Sequence, residues 1–128
     1  MGHGYAAKCR QCGASFAARE GGGFSFHLLR CDRCGREKNV RFRDLGETHF
    51  KYIKGLEVPY CGASAHFDSW IQENYPGQPI TEEEYHHAVE EIIGKCDCGG
   101  HYRMDGKARC PKCHSADIEA GDVLTYYD

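Results

Sequence analysis

Hydrophobic positions recur with a helical period in one stretch of the chain and with a period of two in several others. Tyr85, Val89, Ile92 and Ile93 make one apolar stripe at the spacing of a helix face. The flanks agree with it. Thr81 followed by Glu84 is a capping box, Ile80 and Tyr85 are placed to form a hydrophobic staple, three glutamates sit at the positive end of the helix dipole, and Gly94 follows the last turn. A helix is expected over Glu82 to Ile93. Weaker signals predict a helix over Asp44 to Lys54, and one or two turns over Asp68 to Asn74 before Tyr75-Pro76-Gly77 stops them.

Alternation dominates the two ends. Ala14 to Arg19 and Phe24 to Leu29 flank Gly21-Gly22-Gly23, and Phe24, Phe26 and Leu28 alternate with Ser25, His27 and Leu29, which predicts a β-hairpin. A third strand is expected at Glu37 to Arg43, with Val40 and Phe42 on one face and Asn39, Arg41 and Arg43 on the other. Further on, His101 to Met104 and Lys107 to Arg109 flank the turn pair Asp105-Gly106. The tail carries Ile118, Val123, Leu124, Tyr126 and Tyr127, enough for a closing strand or two.

Eight of the nine cysteines sit beside these strands in pairs. Cys9/Cys12 and Cys31/Cys34 have the form C-x2-C-G, Cys96/Cys98 is C-x-C-G and Cys110/Cys113 is C-x2-C. A glycine just past the second cysteine supplies the positive φ that turns backbone N–H groups toward the sulfurs. Zn²⁺ takes four thiolates tetrahedrally at about 2.3 Å, and one such pair supplies half of the tetrahedron. Proximity along the chain groups them as Cys9, Cys12, Cys31 and Cys34 on one ion and Cys96, Cys98, Cys110 and Cys113 on a second, two Zn²⁺ in all. The spacing resembles that of zinc ribbon proteins of the rubredoxin-like, four-cysteine kind, over roughly residues 8–43 and 96–127. That resemblance implies a β fold around metal and leaves function open, because such ribbons serve transcription factors, ribosomal proteins, polymerase subunits and enzymes alike.

Composition supports metal over disulfides. With 128 residues, 16 glycines and 41% hydrophobic residues the apolar core must be modest, and small scaffolds compensate with structural metals or disulfides. An odd cysteine count and a start without a basic-then-apolar leader point to a reducing, cytoplasmic setting, where metal ligation is the expected use of paired thiols. No apolar run approaches the roughly 20 residues that span a bilayer, so membrane insertion is not expected.

The net charge of −3 hides an asymmetry: residues 1–55 sum to +6 and residues 56–128 to −9. Arg33, Arg36, Arg41 and Arg43 form the candidate basic face of the first half, able to meet phosphates. The sequence pI of about 6.2 is not that of a dedicated nucleic-acid binder, and the acidic second half, with Tyr126 and Tyr127, suits a protein partner. Cys61 is the leftover thiol. With His66 and Asp68 near it in sequence it is a nucleophile candidate, against the plainer reading of a small buried hydrophobe. His86 and His87, one turn before Glu90 and Glu91, read as a solvated helix face.

The sequence therefore predicts an α+β protein: two small β zinc ribbons, at residues 1–43 and 96–128, joined by a helical segment at 44–95. Its expected role is a non-catalytic binding module for protein or nucleic acid. The alternative is a small thiol or redox-metal enzyme using Cys61 or an iron-bound four-cysteine site.

Overall fold

The computed structural model describes residues 2–128 as an α+β fold of three helices and two three-stranded antiparallel sheets. In chain order the elements are β1 (Gly2–Cys9), β2 (Ser15–Glu20), β3 (Phe26–Cys31), β4 (Glu37–Arg41), a 3-10 turn (Phe42–Leu45), α1 (Glu47–Gly55), α2 (Ala65–Asn74), α3 (Glu82–Ile93), β5 (Tyr102–Arg103) and β6 (Ile118–Tyr127). The first sheet has the order β2-β1-β6 and the second β4-β3-β5.

This topology corrects the expected hairpin between Ala14–Arg19 and Phe24–Leu29. β2 pairs instead with β1, His3 opposite Glu20 through Lys8 opposite Ser15, while β3 pairs with β4, Phe26 opposite Arg41 through Arg30 opposite Glu37. Each sheet also takes a strand from the far end of the chain. β6 closes on β1, Cys9 opposite Ile118 and Gly2 opposite Tyr127, and β5 adds to β3, Cys31 opposite Tyr102. Lys107 to Arg109 forms no strand.

The second sheet and the helices share the apolar core. Leu29 of β3, Val40 of β4, Ile53 of α1, Ile71 of α2, and Tyr85 and Val89 of α3 are buried together, each aliphatic side chain worth roughly 1.5–3 kcal/mol on transfer from water. α3 runs from Glu82 to Ile93 as its pattern predicts. Thr81 Oγ1 accepts from Glu84 N at 3.1 Å while Glu84 Oε1 accepts from Thr81 N at 3.0 Å, completing the capping box. Of its stripe, Tyr85 and Val89 are buried but Ile92 is half exposed.

The buried face of β3 carries His27, Leu29 and Cys31, with Phe26 and Leu28 only partly covered. Side chains alternate strictly along a strand, so turning Cys31 inward carries His27 and Leu29 inward with it. The first sheet buries only small side chains, Ala7, Ala18 and Cys9. Such a layer removes little apolar area from water and has to be held by something else. Among the described residues no helix is long and apolar enough to cross a membrane.

Candidate metal centres

The eight paired cysteines meet in two groups, and the groups are interleaved along the chain. Cys9 and Cys12 meet Cys110 and Cys113, while Cys31 and Cys34 meet Cys96 and Cys98, and the sulfurs of each group all lie within 4.8 Å of one another. This overturns the grouping by proximity. β1 pairs with β6 and β3 with β5, so the first knuckle is delivered to the last and the second to the third. The outer group thus joins the ends of the chain and the inner group closes the segment that contains the helices.

Sulfur separations fit one ion in each group. In the outer group Cys9 and Cys113 Sγ are 3.5 Å apart and Cys12 and Cys110 Sγ 3.6 Å. In the inner group Cys31 and Cys98 are 3.4 Å apart and Cys34 and Cys96 3.7 Å. A tetrahedron of sulfurs about a zinc ion has edges of about 3.8 Å, whereas a disulfide would need about 2.05 Å.

All four knuckles repeat one backbone device. The residue after the second cysteine has positive φ, 78° at Gly13, 75° at Gly35, 93° at Gly99 and 65° at His114. Its N–H returns to the carbonyl of the first cysteine, at 3.0 Å for Gly13, 3.1 Å for Gly35, 2.9 Å for Gly99 and 2.9 Å for His114. His114 therefore performs the turn that glycine makes elsewhere, in a region a side chain enters at a cost. The same turns aim backbone donors at sulfur: Cys12 N to Cys9 at 3.4 Å, Cys34 N to Cys31 at 3.5 Å, Gly100 N to Cys98 at 3.4 Å and Lys112 N to Cys110 at 3.3 Å. The C-x-C pair, one residue shorter, reaches the same geometry.

The electrostatics follow from this crowding. The N–H of Cys98 brings the Cys96 thiol down to about 6, and that of Cys113 brings Cys110 down to about 7. Their neighbours move the other way. Burial first, then the adjoining sulfurs, pushes Cys34 up to about 12; at Cys113 the Ser115 N–H opposes the rise, but burial and three sulfurs still carry it to about 12. Each nest of sulfurs accommodates its first negative charges and resists the last ones, which a cation at the centre would reverse.

The family described as Domain of unknown function (DUF8255) has a model that matches residues 5–119, a span holding all nine cysteines. The chain belongs to that family. No curated protein and no solved structure matches it.

The other candidates of this DUF8255 chain lie elsewhere. Cys61 Sγ has Ser64 Oγ at 3.2 Å as its hydrogen-bond partner. Asp68, buried, accepts from Ser64 Oγ at 2.6 Å and from Tyr60 N at 2.8 Å. The carboxylate orders the loop before α2, and among the described residues no histidine hydrogen-bonds to Cys61. His86 and His87 lie beside Glu82 and Glu91 on the outside of α3. Of the four candidate arginines, Arg36 pairs with Asp97 at 3.3 Å and Arg41 with Asp44 at 3.0 Å, while Arg33 donates to the Cys98 carbonyl at 3.2 Å.

Sequence reasoning missed a second polar cluster. His27 Nε2 lies 2.7 Å and His49 Nδ1 3.0 Å from the hydroxyl of Tyr85, which is fully buried. Phe42 stacks on His49 at 4.2 Å, and Tyr52 on Tyr85 at 4.0 Å. One hydroxyl bridges two rings here. Burial, then the charges of His49 and His86, lowers His27 to about 4; burial, opposed by Asp68, lowers His49 to about 4. The unfolded rings bind protons near about 6.5. Unfolded chains therefore hold more protons between these values, and the stabilisation, complete above the upper one, is lost as pH falls toward the lower. Nitrogen-15 spectra of the imidazoles at about pH 5.5 are expected to show both rings neutral; rings half protonated near about 6.5 would contradict the arrangement.

Proposed function

We propose that the chain is a non-catalytic binding module of zinc ribbon type, held by two Zn²⁺ ions, one on Cys9, Cys12, Cys110 and Cys113 and one on Cys31, Cys34, Cys96 and Cys98. The observation that carries this reading is the pair of closed four-sulfur groups with tetrahedral edge lengths. Four thiolates leave no coordination position for water or substrate, so the chemistry such an ion supplies is structural. Its work is to clamp segments that lie far apart along the chain. The partner is a macromolecule. For nucleic acid the basic face is reduced by the pairing of Arg36 and Arg41 with carboxylates, which leaves a protein surface as the favoured partner of the module as a whole.

Native mass spectrometry with elemental analysis is expected to give two zinc ions per chain, and the same two in Cys61→Ser. One ion, iron in protein isolated from metal-balanced cells, or loss of an ion in Cys61→Ser would overturn the assignment.

A further inference from the structure

Among the described residues, three buried side-chain nitrogens have no hydrogen-bond partner: Arg30 Nε, Arg30 Nη2 and Arg109 Nε. Both arginines line one cleft of about 600 Å³, bounded on one side by the inner cysteine knuckles and on the other by Pro111 and His114 of the outer group, with the carboxylates of Glu37 and Asp97 and the guanidinium of Arg36 also in its wall. Buried donors are rarely left unmade, and both arginines that carry them border this cleft, which points to something that accepts there.

Both guanidinium groups are fixed in place. Arg30 directly precedes Cys31, its side chain is 12% exposed, and its Nη1 donates to the Gly106 carbonyl at 3.1 Å. Glu37 Oε2 stands 3.7 Å from Arg30 Nε, beyond hydrogen-bond length, and Glu37 already accepts from Arg19 N at 2.9 Å and Arg19 Nε at 3.2 Å. Arg109 directly precedes Cys110, and its Nη1 donates to the His114 carbonyl at 3.0 Å. Neither guanidinium hydrogen-bonds sulfur. The donors at sulfur are backbone N–H groups, so the two side chains keep their free donors for another acceptor.

We propose that this cleft is a phosphate-binding site, in which Arg30 and Arg109 grip the oxyanion and the organic part of the ligand lies against Phe16, Ala108 and Pro111 on the apolar wall. A guanidinium presents its donors in a planar fork matched to phosphate oxygens, and desolvated arginine is the side chain suited to that task. The site is distinct from the exposed arginines at Arg33, Arg41 and Arg43. It stands independently of the zinc assignment.

The test is calorimetric titration of the metal-loaded full chain with inorganic phosphate, with adenosine 5′-monophosphate and with a single-stranded oligonucleotide lacking terminal phosphates. Saturable binding of the first two alone identifies a free phosphomonoester as the source; binding of the oligonucleotide identifies a phosphodiester backbone. In either case Arg109→Gln is expected to weaken binding on the order of tenfold or more, Arg109→Lys to restore part of it, and Arg43→Gln to leave it unchanged. Zinc content is measured on every sample, and if Arg109→Gln fails to hold two ions the comparison is made with Arg109→Lys and Arg30→Lys. No saturable binding of any of the three probes by the wild-type chain, or equal binding by wild type and the folded arginine variants, would overturn the proposal.

Discussion

Replacing Cys12 and Cys113 together by alanine is expected to leave one tightly held zinc ion per chain, whereas replacing Cys12 and Cys34 together is expected to leave none that survives a competing chelator. The first pair comes from one sulfur group, so the other keeps its four ligands. The second pair takes one ligand from each group and reduces both to three thiolates. Had the knuckles paired with their neighbours in sequence, the two outcomes would be exchanged, so a single stoichiometry measurement separates the topologies. Cadmium-113 substitution gives the same answer directly, since the protons of Cys12 and Cys113 should correlate to one cadmium resonance and those of Cys34 and Cys98 to the other. An ion retained in Cys12→Ala/Cys34→Ala would contradict the interleaved arrangement.

The ligand residues were readable because a knuckle is a local device. Two cysteines, the turn between them and the positive-φ residue after them all fall within six residues, and glycine marks three of the four turns. His114 hides the fourth mark. Which knuckle meets which was not readable, because a half-site carries no information about its partner; that is decided by strand pairing across the length of the chain. The decisive strands also have little pattern. β1 is Gly-His-Gly-Tyr-Ala-Ala-Lys-Cys, small and without apolar alternation, and β6 is exposed along nearly its whole length. Gly4 is small for a reason visible only in the fold: a Cβ there would meet Thr125 of β6 at 2.9 Å. One feature of the sequence does accompany all four knuckles. A basic residue precedes each first cysteine, Lys8, Arg30, Lys95 and Arg109, and two of these are the arginines that line the cleft.

Helix α3 was readable for the opposite reason, since its cap, stripe and stop are all local and agree with one another. The polar cluster beneath it was not. Histidine and tyrosine on an alternating or helical pattern read as surface until a partner is known, and His27, His49 and Tyr85 come from β3, α1 and α3. Their burial is a consequence of tertiary packing that no single element signals.

The two centres are expected to differ in what they hold. The inner group belongs to the core: Cys31, Cys96 and Tyr102 are buried with Leu29, Val40, Tyr85 and Val89, and Cys34 packs against them. The outer group lies beyond that cluster, beside a sheet whose buried side chains are small. Loop closure adds to the contrast. The inner ion closes the 62-residue separation from Cys34 to Cys96, which contains every helix. With that loop already closed, the outer ion has only the short arms Cys12–Cys31 and Cys98–Cys110 to restrain, and the entropic gain falls with loop length. A structural zinc site contributes an apparent 10 kcal/mol or so, as much as the whole stability of roughly 5–15 kcal/mol typical of a domain. Removing the inner site by Cys34→Ala/Cys98→Ala should therefore abolish the cooperative melt, with loss of helical far-ultraviolet dichroism and of the near-ultraviolet signal of the stacked Tyr52 and Tyr85. Removing the outer site by Cys12→Ala/Cys113→Ala should lower the melting temperature and free the terminal strands to hydrogen exchange while the helices and tyrosine signal persist. Equal loss of helix in both variants would show that the first sheet, and not the inner centre, holds the fold together.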